Sequence, residues 1–282
     1  MKFDTNLAAI HGYLCSDGYV IKNPETQKHV YYYIGLRNMN NTLLEDFQQK
    51  FRKVFGIQPI ITQDGRCKIQ NKEIYESLTK DFSYYSYEWK LPSLSKENVK
   101  YWLRAFFDCE GWVENQKGKS RLIGLDCCNI SGLYQVQSAL LRFNIKSNIK
   151  KRKGRRIWRL TICHLNNLKR FHNSVGFLHP QKNQKLSIAI DSYKNYHWNV
   201  PKDKKGLLFF VAEKGRIRKT RNEIRLMSIK ESNLRNIKKA LKKYNVNSKI
   251  YGPWKNNTGS LYYCLIINNY LEVLNGTKKW TT

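Results

Sequence analysis

Ile10-His11-Gly12-Tyr13-Leu14-Cys15-Ser16-Asp17-Gly18 is written a second time, in changed letters but the same pattern, as Leu103-Arg104-Ala105-Phe106-Phe107-Asp108-Cys109-Glu110-Gly111. Each copy predicts an apolar helix that ends in one carboxylate followed by glycine. An anion in the last turn of a helix faces the negative end of the helix dipole, which disfavours it by roughly 0.3–1 kcal/mol. The placement therefore calls for a compensating cation, which a bound divalent metal would supply. Small residues recur at matching places, Gly12 and Ser16 in the first copy, Ala105 and Cys109 in the second. Positions i and i+4 share a helix face. The pattern thus predicts two helices packed with their backbones close together, which sets Asp17 and Glu110 side by side at the base of the pair.

Charge points to the partner. The 282 residues carry 51 Lys and Arg against 21 Asp and Glu, a formal charge of +30. Such a surplus repels itself unless a polyanion neutralises it, so nucleic acid is the expected partner, with charge alone not choosing between DNA and RNA. The length suits two or three compact units. No stretch approaches the ~20 apolar residues of a membrane span, and no leader-like apolar run follows Met1-Lys2-Phe3. The expectation is a soluble intracellular protein, cytoplasmic or organellar. Seven cysteines without a C-x-x-C pair argue against a disulfide framework or a zinc ribbon. Cys127-Cys128 and Cys163-His164 are strand neighbours expected to point to opposite faces, so buried, reduced thiols are the reading.

Local signals place the elements. Asp4 or Thr5 caps a first helix over about 6–17, and Pro92 with Ser93 and Ser95 opens a second over about 96–110. β-like runs follow each, at Tyr31–Leu36, Ile60–Thr62 and Ile157–Ile162, with amphipathic helices over about 41–55 and 130–143. Each half reads αββαββα, a mixed α/β (α+β) class. The expected division is a first half over 1–93, a second over 94–198 and a C-terminal unit over 199–282.

The paired motifs resemble those of the LAGLIDADG homing endonucleases, in the single-chain, two-motif, archaeal-type form. The resemblance extends over about the first 190 residues. Asp17 and Glu110 are 93 residues apart, about one half-domain. Leu122–Asp126, Gly132–Gln137, Phe143–Ile145 and Val175–Lys182 look like the strand, helix and terminal loop that follow the second motif. The resemblance implies two pseudo-symmetric halves whose sheets form a DNA-binding saddle, each half cutting one strand. It also implies catalytic and metal-binding roles for Asp17 and Glu110, with Mg²⁺ as the metal, Mn²⁺ as a substitute, and the backbone carbonyls of Ser16 and Cys109 as further ligands. Asp108 matches an earlier acid of the motif and is expected to be structural or solvated. The first copy departs there, with Cys15. Lys90 and Lys182 match the lysine that related enzymes carry near each metal, at 73 residues from Asp17 and 72 from Glu110. In so basic a chain a solvated or backbone-contacting lysine is the other reading of both.

A two-stranded ribbon fits the major groove, and alternate residues on one sheet face reach successive bases. Candidate DNA contacts are Lys22, Lys28, Tyr31, Tyr33, Arg37, Arg66 and Lys68 in the first half. In the second they are Lys117, Lys119, Arg121, Lys151, Arg152, Lys153, Arg155, Arg156 and Arg159. Arg37, Asn38 or Asp126 is expected to face the metals. Residues 222–274 repeat the second half at an offset of 101, matching Leu241 to Leu140, Tyr244 to Phe143 and Val246 to Ile145. Phe209–Gly215 resembles Phe106–Gly111 with one residue inserted, so the tail is expected to be a degenerate ββαββ-like third repeat, its motif helix short or lost, serving as a DNA-binding extension.

The leading expectation is a monomeric, site-specific endonuclease making metal-dependent double-strand breaks. The alternatives are an intron RNA maturase, with intron RNA as partner, or a non-cleaving nucleic-acid-binding regulator on the same scaffold. Met1-Lys2 and Thr281-Thr282 carry no protein-splicing residues, so a free-standing or intron-encoded form is expected.

Overall fold

The structure is a computed structural model that describes residues 2–24, 26–115, 121–193, 197–255 and 261–268. Residues 1–194 and 195–282 form two compact units. Unit 1 opens with α1 (Thr5–Leu14), β1 (Gly18–Lys22), β2 (Tyr32–Arg37), α2 (Asn41–Phe55), β3 (Ile60–Thr62), β4 (Arg66–Gln70) and α3 (Lys72–Thr79). The same order returns as α4 (Lys96–Glu110), β5 (Gly111–Asn115), β6 (Arg121–Cys127), α5 (Ile130–Leu141), β7 (Asn148–Lys151), β8 (Trp158–Cys163) and α6 (Leu165–Ser174), to which α7 (Pro180–Asp191) is added. Unit 2 holds α8 (Lys204–Lys214), β9 (Arg216–Arg218), a 3-10 turn (Lys219–Arg221), β10 (Glu223–Ser228), α9 (Glu231–Lys242), β11 (Ser248–Lys255) and β12 (Leu261–Asn268). A motif-type helix is therefore present in the third repeat, 11 residues long against 15 in α4.

The class is mixed α/β with antiparallel sheets. All three sheets take one topology, β1-β2-β4-β3, β5-β6-β8-β7 and β9-β10-β12-β11. Helices cover one face of each. In the first half Ile34, Leu36 and Cys67 of the sheet are buried under Ile10, Tyr13 and Leu14 of α1 and Leu43, Phe47 and Phe51 of α2. In the second half Ile123, Leu125, Leu160 and Ile162 lie under Trp102, Phe106 and Phe107 of α4 with Leu133, Val136 and Leu140 of α5. The halves share their cores: Ala8 of α1 and Cys15 just past its end sit in the second cluster, and Ala105 of α4 in the first. Burying each large apolar side chain contributes about 1.5–3 kcal/mol.

Helix starts follow local chemistry. The Asp4 carboxylate accepts from the Leu7 amide at 2.8 Å and the Ser95 hydroxyl from the Asn98 amide at 3.1 Å, caps worth about 1 kcal/mol each. Helix α4 spans the expected residues, but α1 stops at Leu14, short of the expected 17. Ser16 is the cause: its hydroxyl donates to the Gly12 and Tyr13 carbonyls at 3.0 and 2.9 Å, competing with the backbone ladder. All seven cysteines are free; Cys128 is exposed, contrary to the expected burial. Among the described residues no helix is long and apolar enough to cross a membrane.

Candidate active site

Close approach of α1 and α4 requires glycine at position 12. A Cβ there would stand 2.5 Å from the Trp102 carbonyl oxygen and 3.2 Å from the Ala105 Cβ. Beside this contact, the Trp102 indole N–H donates to His11 Nδ1 at 3.0 Å across the helix pair. Burial pushes the His11 pKa down to about 3, so the imidazole is neutral and accepts. This cross-helix bond was not foreseen, because nothing local to His11 announces a partner 91 positions away.

At the base of the pair the two motif acids meet electrostatically. Burial, then the charge of Asp17, then that of Asp126 push the Glu110 pKa up to about 7, with Lys182 pulling the other way. The Cys109 thiol is pushed up by burial and by the Asp17 charge, and it is hydrogen-bonded with Ser16 and the Asp17 backbone. The small residues thus meet as their spacing predicts. Asp17 is held by the Asn38 side-chain amide, which donates to its Oδ2 at 2.7 Å, and the Arg37 N–H donates to its carbonyl at 3.2 Å.

Lys182 reaches the site from α7. Its ammonium donates to the Cys109 carbonyl at 3.1 Å and to the Asp108 carbonyl, placing a cation on the C-terminal carbonyls of α4. Burial lowers its pKa against the raising charges of Asp108, Asp17 and Glu110. Asp108 is structural: it accepts from the Leu178 and His179 amides at 3.0 Å each, fixing the chain that leads into α7. Burial nevertheless raises its pKa to about 7, with those bonds and Lys182 opposing.

Lys90 does not follow Lys182. It is exposed and has no hydrogen bond or ion pair among the described residues. Its neighbours anchor on the second half instead: Trp89 is buried against Trp102 and Phe106, and the Leu91 amide donates to Gln135 at 2.7 Å. The equal sequence intervals hid this difference.

Strand register sorts the candidate DNA contacts. On the sheet face away from the helices of the first half lie Tyr33, Arg37, Arg66 and Lys68, with Tyr19 and Gln70 unforeseen. Tyr31 stacks on Tyr33 at 5.8 Å, and Lys28 is exposed in the preceding loop. Lys22 is a correction, since it pairs with Tyr32 on the helix-side face with Val20 and Ile34. In the second half the open face carries Trp112, Asp126, Lys150 and Arg159. Arg121 is helix-side, bonded to the Ser192 hydroxyl and lying over the Tyr193 ring at 4.6 Å. Lys151 is also helix-side, over the Trp158 ring at 5.7 Å. A one-residue change of parity moves a side chain to the other face, and sequence alone does not set that parity. Arg159 and Arg152 pair with Asp126 at 2.7 and 2.8 Å. Lys153, Arg155 and Arg156 are exposed at the β7–β8 hairpin tip, while Lys117 and Lys119 lie outside the described residues.

No group of three or more His, Cys, Asp or Glu side chains is assembled for a metal among the described residues. The donor set is two carboxylates with nearby backbone carbonyls. That suits a hard cation which keeps several waters, and Glu110, whose pKa burial and the Asp17 charge raise, gains from one.

The sequence pattern described as the LAGLIDADG-like domain matches residues 4–88 and again residues 97–176. Over 94 residues the chain is 32% identical to the replication factor C small subunit of Thermococcus kodakarensis, a match taking in 33% of this chain and 10% of that protein. Among solved structures, the homing endonuclease I-DmoI with DNA and Ca is similar at 13% identity and a TM-score of 0.49, covering 65% of this chain and 99% of that one. The homing endonuclease I-WcaI on its DNA recognition sequence is similar at 16% and 0.44, covering 64% and 85%. With the family pattern matched twice over more than half of its length, and once on each half of the doubled fold, this chain belongs to the LAGLIDADG family.

Proposed function

We propose that the protein is a site-specific DNA endonuclease that cuts both strands with a divalent metal, Mg²⁺ or its substitute Mn²⁺. One observation carries the reading: two helix-terminal acids from two halves of one chain come close enough for the charge of Asp17 to raise the pKa of Glu110. A pure binding protein gains nothing from that repulsion. Asp17 and Glu110 would hold the metal, with the carbonyls of Ser16 and Cys109 beside them. Bound there, the cation would activate water and neutralise charge on the scissile phosphate and the departing oxygen. Asn38 orients the Asp17 carboxylate, and Lys182 steadies the end of α4 while adding positive charge where phosphate charge develops. Tyr33, Arg37, Arg66 and Lys68 on one sheet, with Lys150 and Arg159 on the other, would hold the duplex. With both motifs in one chain, the protein acts as a monomer on this reading.

The test is incubation of the purified protein with the uninterrupted host locus and Mg²⁺. A double-strand break is expected, and Asp17→Asn or Glu110→Gln should slow it about 1000-fold or more, the several kcal/mol that a metal-held charge supplies. Binding should stay within a few-fold. Full cutting by either variant would sink the assignment.

A further inference from the structure

Residues 195–282 repeat the half-domain plan, αββαββ with the same strand order. The offset of 101 survives in backbone detail, since Asn245 has a left-handed φ of 61° where Asn144 has 56°. The motif end can also be aligned. The Gly215 N–H donates to the Val211 carbonyl at 2.8 Å, and a Cβ on Gly215 would stand 2.6 Å from that oxygen. Gly111 stands in the same relation to the Phe107 carbonyl, 2.5 Å from a built Cβ. Glycine against glycine needs no inserted residue, a correction to the sequence alignment. Lys214 then takes the place of Glu110, Glu213 that of Cys109 and Phe209 that of Ala105.

Those three positions are the ones the active site uses. A cation replaces the acid, while a phenylalanine 63% exposed and a glutamate replace the small residues that let α1 and α4 approach. Unit 2 therefore lacks the parts of a cutting centre and keeps the sheet. Its charge is strongly positive, with 19 Lys and Arg against 5 Asp and Glu. Across the open sheet face one row runs Arg216, Arg225, Ile266, Lys249 through all four strands. Arg225 is paired with Glu223 at 2.6 Å, whereas Arg216, Arg218 and Lys249 have no acidic partner among the described residues. These cations sit on the edge strands β9 and β11, roughly 14 Å apart at ~4.8 Å per strand. Between them lie the mutually neutralised Arg225–Glu223 pair and the apolar side chains of Ile266 and Met227, with Cys264 buried beneath. Cations on both edges around a centre of no net charge fit a duplex laid across the face, with phosphates on both rims of a major groove about 12 Å wide and Met227 free to meet a thymine methyl group.

We infer that the open face of β9–β12 is a non-catalytic docking surface for duplex DNA. It rests on the proposed nuclease reading only in taking duplex DNA as the partner. The comparison that tests it uses the full chain and two triple variants of equal charge. Arg216→Gln/Arg218→Gln/Lys249→Gln strips the sheet face. Lys238→Gln/Lys239→Gln/Lys242→Gln strips exposed α9 positions on the other side of the unit, where α9 packs against the sheet core. Binding of a random 60-base-pair duplex is measured over a range of salt. The sheet variant should have a slope shallower by about 2 to 3 in log K per log salt, at about 0.9 per phosphate contact, and the α9 variant should keep the parent slope. Equal slopes for the two variants, or tighter retention of single-stranded RNA than of the duplex, would overturn the inference. Failure of the nuclease reading is separate: it shows as an uncut host locus while the two slopes still differ.

Discussion

At the end of α1, Asp17 shares its carboxylate with the Asn38 amide, and on the adjoining sheet Arg37 stands directly opposite Arg66. At the end of α4, Glu110 sits in the field of Lys182, and on its sheet Asp126 stands opposite Arg159. The backbone plan is the same and the charge plan is not. Like charges facing across two strands are destabilising; Asp64 answers Arg66 at 2.9 Å, and Arg37 is left for an outside anion. The second corner is neutralised internally and brings its own lysine. Two halves that fold alike are thus expected to hold the two DNA strands differently and to cut them at different rates.

Lys182 gives the largest test of that asymmetry. Lys182→Met should slow nicking of one strand about 100-fold, as loss of one preorganised donor does elsewhere, leaving the other strand within a few-fold. Lys90→Met should leave both strands within about two-fold, since the chain around Lys90 is anchored on α5. Strand-specific nicking on end-labelled DNA reads both. Equal slowing by the two variants would restore the symmetric reading.

A smaller effect separates the corners by pH. The Glu110 pKa rises from 4.5 to about 7 in the folded protein, so between those values the native state binds more protons than the unfolded state. Stability from this group is then greatest below about 4.5 and is lost as pH rises towards 7. Asp108 acts in the same direction, but it remains in Glu110→Gln, so the difference between parent and variant isolates Glu110. The parent Tm should fall relative to the variant across that window by a few degrees, at about 2–4 °C per kcal/mol. Mn²⁺ at pH 8 should recover the loss in the parent alone. Parallel curves would place Glu110 outside the acidic pair.

What could be read in advance was local. Helix α4 spans the predicted residues because Ser95, an apolar stripe and Gly111 all act within a few positions. Helix α1 ended early because the Ser16 hydroxyl turned back onto its own helix, a choice the sequence leaves open. The nearness of the two motif acids was legible from repetition, and the position of Lys182 beside them from its distance to Glu110. The same interval misled for Lys90, since it carries no information about where Trp89 is buried. Strand faces were legible least: Lys22, Arg121 and Lys151 were placed by composition, while their faces depend on pairing register. Contacts such as His11 with Trp102 and Arg159 with Asp126 join residues 91 and 33 positions apart, and only the folded chain brings them together.

The finest test of the two corners is ionic. Arg37 is exposed and unpaired among the described residues, whereas Arg159 and Arg152 are already bound to Asp126. Arg37→Gln should make the salt dependence of duplex binding shallower by about 0.9, the value of one released counterion. Asp126→Asn should do the opposite. It removes the carboxylate that occupies two arginines, a carboxylate whose pKa the hydrogen bond with Arg159 holds down. A freed guanidinium adds a phosphate contact, so the slope should steepen by about 0.9. Strand nicking by Asp126→Asn should also shift, because the Asp126 charge contributes to raising Glu110. A shallower slope for Asp126→Asn would mean that Arg159 needs the carboxylate to stay extended towards DNA, making the pair a positioning device rather than a neutral one.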